Sequence, residues 1–96
     1  MASPAWRLRA IVLLAGVGEP QEYEVTLTAQ GEDEQRRTIR VDPGTRNIVW
    51  FNVAERQGVQ SLTLVVRGIS QEQECHRHHI EVTNSGDAVE RDSDVC

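Results

Sequence analysis

The sequence predicts an all-β fold, a small antiparallel β-sandwich of about six to seven strands. Three observations carry this. Residues 22–29 and 61–67 alternate apolar with polar side chains at a period of two, as half-buried strands do. Turn-forming clusters of Gly, Pro, Asn and Asp recur about every 11 to 16 residues. No segment gives a convincing helix, although the apolar run 10–17 also fits a short one.

The first element is read from Trp6, Leu8, Ala10, Val12 and Leu14, which share one face, with Arg7 and Arg9 on the other. Ile11, Leu13 and Ala15 then make both faces apolar, as in a strand entering a sheet. The same stretch, two arginines followed by an apolar run and Gly16-Val17-Gly18, also fits a secretory signal with a short apolar region. The run is far short of the roughly twenty apolar residues of a membrane span.

In the second element Tyr23, Val25, Leu27 and Ala29 alternate with Glu22, Glu24, Thr26 and Thr28. A polar turn at 30–35 contains Gly31 and leads to a short third strand, 36–41, whose Ile39 and Val41 point inward if Arg37 lies at the rim. Asp42-Pro43-Gly44-Thr45 is a turn tetrad: proline presets φ at its second position and glycine accepts positive φ at its third. Residues 47–53 are apolar on both faces and are expected to form a central or doubly covered strand. After a turn at 55–58 comes the strand 61–67, with Leu62, Leu64 and Val66 on one face. The last expected strand is 75–83, stopped by Asn84-Ser85-Gly86. The domain therefore spans 1–83. Residues 84–96, with Asp87, Glu90, Asp92 and Asp94 against Arg91, read as an acidic, mobile tail.

A chain of 96 residues supports one modest core, which excludes a multi-domain enzyme. Its formal charge is -5, and all ten bases are arginine. That balance argues against nucleic acid as a partner. The absence of lysine fits coding bias in a GC-rich genome; selection for bidentate carboxylate or phosphate recognition is the alternative. Arg36, Arg37 and Arg40 follow Glu32, Asp33 and Glu34, a self-paired turn rather than a phosphate site. The two cysteines, Cys75 and Cys96, permit one disulfide, a free terminal thiol or an interchain pair.

The order Tyr-Glu-Val-Thr-Leu-Thr-Ala (23–29), Val-Asp-Pro-Gly-Thr (41–45), Ile-Val-Trp-Phe-Asn-Val (48–53) and Gly-Val-Gln-Ser-Leu-Thr-Leu-Val-Val (58–66) resembles the immunoglobulin-like modules of prokaryotic surface proteins. The similarity covers about half the chain and is nearest to the cell-adhesion-related (CARDB-like) group. It departs from immunoglobulin domains in having both cysteines after Trp50. The resemblance implies an immunoglobulin-like sandwich, a supporting or adhesive role, and a cell-surface or extracellular setting. It supplies no catalytic residues.

One cluster suggests chemistry. Cys75, His76, His78 and His79 are natural zinc or copper ligands. On a strand, His76 and His78 share a face with Ile80 and Val82, while Cys75, Arg77 and His79 share the other. At most two or three ligands then converge, and the commoner fate is a set of histidines at a strand entrance. The tail lacks the glycine and bidentate glutamate of a calcium loop. Trp6 and Trp50 read as core or strand-edge packing. No hydrolase, phosphate-loop, zinc-protease or dinucleotide motif is present. The expectation is a non-enzymatic interaction module without a cofactor, binding a protein partner or a second copy of itself. A metal-binding module built on the Cys-His-Arg-His-His cluster is the alternative.

Overall fold

The computed structural model describes residues 5–14, 17–54, 57–69 and 74–96. Parts of the expected signal segment and of the turns at 55–58 and 68–74 lie outside the described residues. Seven strands follow in order: β1 (Ala5–Leu14), β2 (Gln21–Ala29), β3 (Gln35–Val41), β4 (Thr45–Ala54), β5 (Gln60–Gly68), β6 (Cys75–Val82) and β7 (Ala88–Val95). All pairings are antiparallel. They form a two-stranded sheet, β1-β4, and a five-stranded sheet, β3-β2-β5-β6-β7. Pairing of β1 with β4, opposite the order β3-β2-β5-β6, is the immunoglobulin arrangement of strands B and E facing C′, C, F and G. The strand that would flank B is not among the described strands, and β7 is added beyond G. Among the described residues no helix is long and apolar enough to cross a membrane.

The core forms where the predicted alternations meet. Ala10 and Val12 of β1 and Val49, Phe51 and Val53 of β4 pack on Tyr23, Val25, Leu27 and Ala29 of β2, Leu62 and Leu64 of β5, Val41 and Val82. Phe51 is the largest of the fully buried side chains. Arg37 lies at the rim, as the inward placement of Ile39 and Val41 requires, with its guanidinium 5.1 Å from the centre of the Phe51 ring. The Asp42–Thr45 turn closes with Thr45 N donating to Asp42 O at 3.1 Å, and Gly44 takes φ 76°.

Two expectations are corrected. Strand β4 is not doubly covered. Its sheet has one other strand and one buried face, so Ile48 and Trp50 are left 43% and 45% exposed. Residues 84–96 do not form a free tail, because Ala88–Val95 pairs with β6 along its length. Every residue of β7 is exposed, so apolar burial contributes little to holding it. Three things hold it instead. A backbone ladder joins it to β6, and ion pairs cross the strands, Arg77–Asp94 at 3.5 Å and Arg91–Glu81 at 3.3 Å, with His79 Nε2 3.7 Å from Asp92 Oδ1. The third is a Cys75–Cys96 disulfide. Exposed ion pairs are individually weak, which leaves the ladder and the covalent link as the main constraints.

Reducing the disulfide is expected to cost about 3 kcal/mol of stability, the chain-entropy value for a loop of this size. Urea unfolding with and without reductant measures that loss, and hydrogen exchange should show β7 opening before β2 or β5. The β6–β7 turn gives a second prediction. Gly86 has φ 87°, and a Cβ there would lie 3.3 Å from Trp6 Cε2. Gly86→Ala should lose about 1–2 kcal/mol from backbone strain alone. It should also shift tryptophan fluorescence as Trp6 is displaced.

Candidate functional site

The two sheets differ in width, and this creates the site. Two strands cannot cover five when neighbouring strands are spaced about 4.8 Å apart. The ribbon is drawn toward β3, because the outer edge of β4 is tied there. The Gln35 side-chain amide donates to Asn52 O and accepts from Asn52 N at 3.1 Å, as a neighbouring strand's backbone would. Asn47 Nδ2 donates to Arg40 O at 3.2 Å. The opposite edge, along β1, carries no strand and no hydrogen-bonded side chain among the described residues.

Beside that edge runs a groove of about 310 Å³, bordered by five consecutive residues of β1, from Leu8 to Val12. Its floor is the uncovered inner face of β5, β6 and β7: Leu64, Val66, His78, Ile80, Ala88 and Glu90. Past Val12 it continues over His76 and Glu74 toward Tyr23. Trp6 lies beside Gly86 of the β6–β7 turn, where an added Cβ would meet its ring at 3.3 Å. The floor is thus mixed: Leu64, Val66, Ile80 and Ala88 are apolar, Glu90 stands opposite Ile80 and is hydrogen-bonded to His78, and His76 and Glu74 follow.

The structure divides the sequence-predicted cluster between two faces. His76, His78 and Ile80 lie opposite Val66, Leu64 and Leu62 of β5, on the inner face. His78 Nδ1 is hydrogen-bonded to Glu90 Oε1. Cys75, Arg77 and His79 take the outer face, where His79 meets Asp92. The Cys75 sulfur is bonded to Cys96, which removes a thiolate from the candidate ligands. Among the described residues no three His, Cys, Asp or Glu side chains converge as a metal-binding set.

Sequence reasoning missed the outer face of the β1-β4 ribbon as a surface. Ile11 stands opposite Ile48, and Arg9 opposite Trp50. The Arg7 guanidinium lies 4.7 Å from the centre of the Trp50 ring. With Arg46 this gives an apolar patch set among three arginines, and no acid shares the face among the described residues. The signal is present in the double-sided apolar pattern of 47–53, whose second face is exposed at Ile48 and Trp50.

At the groove's polar end the Tyr23 hydroxyl donates to Glu74 at 3.3 Å. Burial, then the Glu74 charge and the hydrogen bond to it, raise the Tyr23 pKa above the ordinary phenol value of 10.0. No family model, curated protein or solved structure matches the chain.

The Tyr23 shift has a defined pH signature. The folded state holds the phenol proton more tightly, so its stabilisation is full below pH 10.0 and is lost as pH rises through the folded-state pKa. The sequence has one tyrosine and no lysine, and both cysteines are bonded, so little else titrates there. Denaturant unfolding of Tyr23→Phe should therefore lose most of the alkaline dependence. At neutral pH the variant should cost about 1 kcal/mol for the missing hydrogen bond.

Proposed function

We propose that this chain is a non-enzymatic protein-interaction module, of surface, adhesion or assembly type, that accepts a strand along the open edge of β1. One observation carries the reading: among the described residues β1 is paired on one side only, and the groove on its other side opens onto uncovered inner sheet face. An unpaired edge presents a row of N–H and C=O groups, and strand addition satisfies them.

The edges at β1 and β7 are treated differently. Strand β7 is dense in charge and bulged beside His79 and Ile80, features that discourage pairing. Strand β1 is ten residues long, runs against β4 without a register shift and has no internal proline. The disulfide fits an oxidising compartment and so supports an extracellular or cell-surface setting. The resemblance to surface-protein modules points the same way. A second copy offers a matching apolar strand but brings Arg7 and Arg9 with it, so self-association belongs to high concentration.

Hydrogen exchange on the dilute chain tests the reading. Amides of Leu8–Val12 directed away from β4 should exchange at nearly unprotected rates, while those bonded to β4 stay protected. Uniform protection along β1 would overturn it. Light scattering up to millimolar concentration should show the mass rising above the monomer; a constant monomer mass rules out pairing between copies.

A further inference from the structure

We propose that the slot beside β1 takes a lone extended segment of another polypeptide in which apolar residues alternate with acidic ones. This rests on the strand-addition reading above and names the partner's chemistry. The backbone requirement comes from β1, whose free edge is satisfied by an extended chain. From Trp6 to Val12 it offers seven residues, about 23 Å of strand.

Residues directly opposite on paired strands share a face. Every second side chain of the incoming segment therefore points down, as Leu8, Ala10 and Val12 do, onto a floor of Leu64, Val66, Ile80 and Ala88 whose two polar members, His78 and Glu90, are hydrogen-bonded to each other. These positions favour apolar residues. The intervening side chains point outward, level with Arg7, Arg9 and Ile11. Both arginines are exposed, and no acid shares their face among the described residues, so carboxylates on the segment complete the cross-strand pairs. Charge thus selects acid over base at these positions. It also disfavours a second copy, whose outward residues are the same arginines. A second copy would in addition bring its own five-stranded sheet toward the floor made by β6 and β7, which confines pairing between copies to high concentration.

The test uses the full, disulfide-bonded chain and two end-capped octapeptides, one alternating valine with glutamate and one alternating valine with lysine. The glutamate peptide should bind about tenfold or more tighter at low salt. It should slow exchange of the outward amides of Leu8–Val12. Arg9→Glu, a change at an exposed side chain, should bring the two peptides close to parity. Equal affinity of both peptides for the unaltered chain, with β1 still protected, would overturn the acidic selectivity and leave strand addition standing. Failure of both peptides to protect β1 would overturn strand addition itself. Concentration-dependent dimers with protected β1, not displaced by the glutamate peptide, would make the second copy the occupant and overturn the proposal.

Discussion

A ribbon of two strands lies over a sheet of five, and most of what is distinctive in this molecule follows from that mismatch. The buried layer forms only where the ribbon has something beneath it, around Phe51, Val25, Leu27 and Leu62. Fixing β4 to β3 through Gln35 settles which flank is covered. The other flank, from Leu8 to Val12, is left beside a floor made by β5, β6 and β7. The core and the groove are therefore two ends of one continuous apolar surface. Leu64 belongs to both.

The same constraint explains the character of the exposed apolar residues. Ile48, Trp50 and Ile11 lie together on one ribbon face, while Val17, Val59, Ile69, Val89 and Val95 are exposed elsewhere. Arginines frame them, and Arg7 stacks on Trp50, so the patch is apolar in area and basic in charge. The outer face of the five-stranded sheet is of another kind. Threonines and paired charges occupy it, among them Arg36 with Glu34 at 3.0 Å and Arg91 with Glu81.

Much of the fold was legible because burial on one side writes itself into a strand as alternation. Residues 22–29 and 61–67 became β2 and β5, and the alternating positions Tyr23, Val25, Leu27 and Ala29 of the first and Leu62 and Leu64 of the second are core residues. Strand β7 was not legible, since its side chains bury little and Asp and Ser are poor strand formers. Its trace is relational: Asp94, Asp92 and Arg91 complement Arg77, His79 and Glu81 across a turn. Such a pattern is visible only when the two segments are laid antiparallel. The division of Cys75, His76, His78 and His79 between two faces followed directly from strand periodicity. The groove did not, because it depends on how far one sheet overhangs the other, a tertiary fact that no single segment encodes.

The Cys75–Cys96 link has a mechanical side. Cys96 N also donates to Cys75 O at 3.2 Å, so the two residues form a closed rung at the far end of the last hairpin. A pull applied at Cys96 passes through sulfur into the start of β6 and bypasses β7. The hairpin cannot be unzipped from that end one hydrogen bond at a time. Load reaches the β5–β6 ladder in the interior of the sheet, where many bonds share it. A strand that buries almost nothing thereby becomes a short-circuited loop under tension, and the element that bears force is one with core contacts at Val82 and Ile80.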